Sequence, residues 1–135
     1  KEFKMINKSN YMFYMMSPIF SLVLIMMMWL IYPMYSNYMM MNMGFIYLMC
    51  CFSLGVYSLL MAGWSSNSSY SMLGSLRSLA QSISYEVSLA IIMIIPMLLI
   101  NNLNFNNLMN YQNNSWLIMY MWPLAMVFFF SIMAE

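Results

Sequence analysis

SMLGSLRSLAQSISYEVSLAIIMIIPMLLI, residues 71–100, has the length and apolar content of a membrane-spanning helix, yet it carries Arg77 and Glu86. An ionisable side chain at the centre of a bilayer costs roughly 2.5–3.5 kcal/mol on insertion scales, so it is kept where it faces protein or water. The rest of the chain rules out a soluble setting for this stretch. Of 135 residues 64% are hydrophobic, and the charged set is four Lys or Arg and three Asp or Glu. A soluble domain carries about 25% charged residues to cover its surface. The composition therefore predicts an all-α, polytopic membrane protein.

Working outward, four segments reach the length needed to cross about 30 Å of hydrocarbon at about 1.5 Å per residue. They are 17–35, 42–63, 71–100 and 115–134, within a single membrane domain covering residues 1–135. The first is expected to begin at Ser17-Pro18, with serine as N-cap and proline in the first turn, and to end near Pro33. The second carries Gly44, Ser53, Gly55, Ala62 and Gly63, small residues that let helix backbones approach closely. The third is too long to stand upright in an average bilayer, so it should tilt or bend, with Pro96 a candidate kink. The last contains Pro123.

The linkers support this division. WSSNSSY at 64–70 is short and polar, and residues 101–114 are rich in asparagine. Tyr32, Tyr35, Tyr38, Trp64, Tyr70, Tyr111 and Trp116 fall near the expected boundaries, as an interfacial aromatic belt requires. Four crossings return both ends to one side. Lys1, Lys4, Lys8 and Arg77 collect there, which marks it as the cytoplasmic or matrix side.

Within residues 71–100, Arg77, Gln81, Ser84 and Ser88 fall within about 60° of one another, and Ser75, Ser82 and Glu86 form a second stripe on nearly the opposite face. A helix polar on two faces is expected to be surrounded by protein. Arg77 and Glu86 would sit about 13.5 Å apart along the axis and half a turn around it, so each needs its own partner. A carboxyl that can gain or lose a proton at membrane depth is what a proton relay needs, and Glu86 is the prime candidate. Glu135 is the second. The competing reading has serine, glutamine and tyrosine gluing a bundle, Arg77 snorkelling to the interface, and Glu135 exposed at a helix end.

Several chemistries are excluded. Without histidine there is no bis-imidazole haem and no imidazole zinc site. The adjacent Cys50 and Cys51 have poor spacing for a metal or an ordinary disulfide. No basic groove suggests nucleic acid. The chain holds 22 methionines and no threonine, aspartate or histidine, a bias with no folding cause. It fits an A+T-rich animal mitochondrial genome in which ATA encodes methionine. Lys at the start and Glu directly after an apolar run at the end suggest an internal piece of a longer protein. Asn7, Asn67 and Asn113 head N-x-S sequons, which mitochondrial synthesis would leave unmodified.

SLRSLAQSISYEVSLA, preceded by YSLLMAGWSSNSSYSMLG and followed by WPLAMVFFFSIMAE, closely resembles the NADH-ubiquinone oxidoreductase chain 1 family, membrane subunits of respiratory complex I. The resemblance covers essentially the whole chain, and an insect-like origin would fit its methionine content. It implies a multi-pass protein of the mitochondrial inner membrane, with both ends of this piece on the matrix side. The implied work is to line the ubiquinone access tunnel and to begin a path of buried carboxylates coupling quinone reduction to proton translocation. By motif, Glu86 of SYE and Glu135 of AE match carboxylates of that path, Arg77 matches an arginine near the quinone passage, and Gln81 and Tyr85 match lining or supporting positions. Ubiquinone would be substrate. FMN and iron–sulfur clusters would reside in partner subunits of the peripheral arm, with no cofactor or metal on this chain. The family's AE opens an AETNR-PFD motif and an acidic loop, absent after Glu135, so the piece alone is expected to be inactive. Two other readings of the residues are a proton- or ion-coupled transporter piece and a purely structural membrane anchor.

Overall fold

The computed structural model describes residues 8–32 and 41–134. Among these, every regular element is helical: α1 (Tyr11–Trp29), α2 (Gly44–Ser65), α3 (Ser69–Ile100), α4 (Phe105–Gln112), α5 (Leu117–Tyr120) and α6 (Trp122–Ala134). Three helices, α1, α2 and α3, are long and apolar enough to cross a membrane, and α6 is a shorter apolar helix. The polytopic helical class read from composition stands.

The first helix starts earlier than expected. α1 begins at Tyr11, with Ser17 and Pro18 inside it. A helical residue at position 18 would donate its N–H to the Tyr14 carbonyl, and proline cannot. The buried Ser17 hydroxyl donates to Tyr14 O at 3.0 Å, which gives that carbonyl a partner. An unsatisfied backbone group in hydrocarbon costs several kcal/mol. Ser17-Pro18 is thus a compensated pair within a helix, not a start signal. The expected end near Pro33 lies outside the described residues.

α2 and α3 form a tight hairpin. Asn67 turns the chain with φ 55°, a left-handed conformation asparagine tolerates. Ser66 Oγ donates to Gly63 O at 2.8 Å, and Ser68 caps α3 by accepting from Ser71 N at 3.4 Å. Just beyond the turn the two backbones close on each other: a Cβ added to Gly63 would sit 2.5 Å from Ser75 Cβ and 3.1 Å from Ser71 O. Gly44 instead admits a ring, with Phe105 Cδ2 3.2 Å from where its Cβ would lie. Gly55, the third glycine expected at a contact, has nothing within 4 Å.

Backbone bonds at both ends of the bundle fix its up-down order. At the hairpin end, Asn10 N donates to Ser65 O at 3.0 Å and Asn67 Nδ2 to Lys8 O at 3.1 Å. At the opposite end, Phe45 N donates to Leu103 O at 3.2 Å. Exposed Trp64 and Tyr70 mark the first end, and exposed Tyr32, Tyr111 and Trp116 the second, which is how an interfacial belt distributes. Tyr35 and Tyr38 lie outside the described residues.

The expected last span is interrupted. Residues 115–134 form α5 and α6, parted at Met121, whose φ of −127° and ψ of 47° leave the helical region. Pro123 falls in the first turn of α6, where its missing N–H leaves no carbonyl orphaned. α6 runs antiparallel to α3, with Ala125 and Phe128 near Ile92 and Met93. Outward faces, including Phe13, Leu22, Ile91, Leu98 and Phe130, are apolar and exposed. Such faces require lipid or neighbouring membrane helices.

Candidate functional site

α3 carries the candidate residues on one uninterrupted helix of 32 residues, about 48 Å long. Its length decides which of them is deep. Glu86 lies about 25 Å along the axis from Ser69, close to the midpoint. Wherever a hydrocarbon layer of about 30 Å falls within this helix, it covers the stretch from about 18 to about 30 Å, so Glu86 is always inside. Arg77, about 12 Å from Ser69, reaches the boundary in half of those placements.

Side-chain exposure follows the same division. Arg77, Gln81 and Tyr85 are exposed on the chain, and Glu86 is half-buried. At four-residue spacing, Arg77, Gln81 and Tyr85 drift about 40° per step and share one flank of α3. The helix keeps Arg77 and Glu86 the expected half-turn apart, so the structure does not bring these two together.

The serines beside them do not glue helices as the bundle reading supposed. Ser75, Ser78, Ser82 and Ser88 each donate to the carbonyl three residues back, at 2.8–3.0 Å, and Ser84 donates to Ala80 O at 2.8 Å. Turning the hydroxyl onto its own backbone makes serine compatible with an apolar environment without a second helix. This explains how α3 can be polar on two faces with Ser84 exposed.

Gln81 behaves differently. Its Nε2 donates to Ala134 O at 3.0 Å, reaching from α3 to the last turn of α6. The bond draws the Arg77–Tyr85 flank up to the point where the chain passes into Glu135. Glu135 itself lies outside the described residues.

One feature was not read from the sequence. A cleft of about 250 Å³ opens between α3 and the α5–α6 pair, lined by Met93, Pro96, Met121, Leu124 and Phe128, with Gln112 of α4 among its few polar atoms. Pro96 and Pro123 were the available signals. Read singly as a kink and a span residue, they gave no hint that the two elements would face each other across a gap.

No group of three or more His, Cys, Asp or Glu among the described residues could hold a metal ion. Cys51 is buried and Cys50 exposed, both as free thiols.

The sequence model of the NADH dehydrogenase family matches residues 1–135. The chain belongs to that family. It is 49% identical over 127 residues to NADH-ubiquinone oxidoreductase chain 1 of Aedes aegypti, covering 94% of this chain and 41% of that protein. The chain 1 protein of Locusta migratoria is 50% identical over 127 residues, 94% of this chain and 40% of its own. Similarity extends to the mammal Emballonura alecto, at 45% over 122 residues, 90% of this chain and 38% of that protein. The chain thus spans about two fifths of the length of the relatives it matches. Family membership agrees with the motif SLRSLAQSISYEVSLA, the segment that also supplies the one deep carboxyl among the described residues.

Proposed function

We propose that this chain is part of a core membrane subunit of respiratory complex I in the mitochondrial inner membrane, where it lines the ubiquinone passage and carries the first carboxylates of the proton path. The observation that carries this reading is the place of Glu86 at the midpoint of a continuous α3 in a member of the NADH dehydrogenase family. A carboxyl held at membrane depth needs a purpose that offsets its cost. A change of charge on a quinone nearby would shift its proton affinity, which links redox chemistry to proton movement.

In this reading Glu86 and Glu135 take up and release protons. Arg77 and Tyr85, exposed on the chain and on one flank of α3, face the quinone passage. NADH oxidation belongs to FMN and iron–sulfur clusters in the peripheral arm, and ubiquinone is the substrate that this chain meets. α5 and α6 together complete a fourth crossing, which returns Ala134 toward the side of Lys8 and the α2–α3 turn, the matrix side. The activity is that of the whole assembly.

The test is Glu86→Gln in the full-length subunit within its native complex, at matched assembly. We expect quinone-dependent NADH oxidation and proton pumping to fall at least tenfold, while NADH oxidation with an artificial acceptor persists. Unchanged turnover and pumping would reduce Glu86 to a structural residue and end this reading.

For Gln81 a particular observation favours a structural role. Its amide is engaged with the Ala134 carbonyl, so it is assigned to support of the site and not to contact with quinone.

A further inference from the structure

The hydrogen bond from Gln81 to Ala134 O, at 3.0 Å, joins two features of unequal standing: a helix interior on α3 and a helix end on α6. The last four carbonyls of any helix lack intrahelical donors. Within a membrane, water is scarce and such carbonyls need partners from protein. The α6 end, an apolar FFFSIMA run, offers little of its own: Ser131 Oγ turns back to Phe128 O at 2.8 Å. The donor comes from α3 instead.

Glutamine suits the task where the neighbouring serines do not. Ser78, Ser82 and Ser84 are short and satisfy their own helix. Gln81 is long enough to leave the helix, and its amide donates without charge. The carbonyl it holds belongs to the peptide group whose nitrogen is that of Glu135. Holding Ala134 O therefore fixes the plane from which the Glu135 residue departs.

We propose that Gln81 is a positioning residue that anchors the exit of α6 and so sets where the chain delivers the Glu135 carboxyl relative to α3. The inference rests on the assignment of Glu135 to the proton path. It goes beyond that assignment in making the geometry of one carboxylate depend on the helix that carries the other. Glu86 sits five residues past Gln81 on α3, so the same rigid element would set both. Gln81 touches neither quinone nor proton in this role.

The experiment uses the full-length subunit in its native complex, with Gln81→Met, which keeps length and removes the donor. Two readouts are taken. The first is the rate at which a membrane-permeant maleimide labels a cysteine at Ala134→Cys, read by peptide mass in Gln81 and Gln81→Met backgrounds. Loss of the anchor frays the helix exit, and labelling should rise about fivefold. The second is steady-state kinetics with a short-chain ubiquinone. The expected result is kcat lowered about fivefold with KM for quinone unchanged, because no ground-state contact to quinone is lost.

Unchanged labelling would overturn the anchor. A raised KM with unchanged kcat would also overturn it, by placing Gln81 in contact with quinone. Glu135→Gln serves to separate the two ideas. If labelling rises in Gln81→Met and Glu135→Gln is silent in turnover, the anchor stands and the proton-path assignment of Glu135 falls.

Discussion

α3 has two seams, and they are built on different principles. Against α2 it packs backbone to backbone, with Gly63 pressed on Ser75 and Ser71 and the turn closed by Ser66 and Ser68. Against α5 and α6 it meets large side chains, Met93, Met121, Leu124 and Phe128, across a cleft of about 250 Å³. Lipid chains are as apolar as leucine, so hydrophobicity alone does not favour helix contact over lipid contact. Close approach of small residues yields dispersion contacts along both backbones. Bulky residues that leave a gap yield fewer. The first seam is thus expected to be rigid and the second permissive, with Gln81 as a polar tether across it.

The sharpest way to break this contrast is Gly63→Ala. The added Cβ has Ser75 Cβ at 2.5 Å and the Ser71 carbonyl at 3.1 Å, and backbone cannot swing aside as a flexible side chain can. Overpacking of this kind costs about 1–3 kcal/mol. We expect Gly63→Ala to lower the fraction of subunit assembled and the temperature at which the complex loses it, measured on native gels after graded heating. An effect no larger than that of a cleft substitution would mean that the α2–α3 seam is not the tight one.

A smaller loss is expected from Ser68→Ala at the same seam. Ser68 caps α3 through Ser71 N at 3.4 Å, a long bond, and its hydroxyl also donates to Ser71 Oγ at 2.6 Å. Removing a serine N-cap costs about 0.5–2 kcal/mol, and the length of this bond puts it toward the lower figure. The same heating assay should rank Ser68→Ala below Gly63→Ala. The reverse order would make the turn, and not the backbone crossing, the determinant of the hairpin.

The two seams also differ in how far sequence exposes them. The α2–α3 crossing was legible, since Gly63 among small residues before a polar turn signals close approach. Gly55 carries the same signal and has no neighbour within 4 Å. A one-dimensional list of small residues does not say which side of a helix meets a partner. Ser17-Pro18 misled for a related reason. Serine before proline is a start signal in water, but inside a buried helix the hydroxyl supplies the bond that the proline ring removes. Glu86 and Arg77 were legible as functional candidates from charge alone, because so few residues share it. The tie from Gln81 to Ala134 was not. It joins residues far apart in the chain and depends on where α6 ends, which the break at Met121 shifts.

The smallest expected effect tests the permissive seam directly. Ala125 lines the cleft beside Leu124 and Phe128, opposite Pro96 and Met93. Ala125→Leu adds volume where space is available, and leucine is nearly as good a helix former as alanine. The expected change in the heating assay is within about 0.5 kcal/mol of wild type, the range of substitutions that neither create a cavity nor force a clash. Ala125→Leu should also leave the maleimide labelling rate at Ala134→Cys unaltered, since Gln81 and not cleft packing holds that end. A cost near that of Gly63→Ala would show that the cleft closes in the assembled protein. α3 would then be clamped on both sides, and the carboxyl of Glu86 would sit between two rigid walls instead of beside a seam that can give.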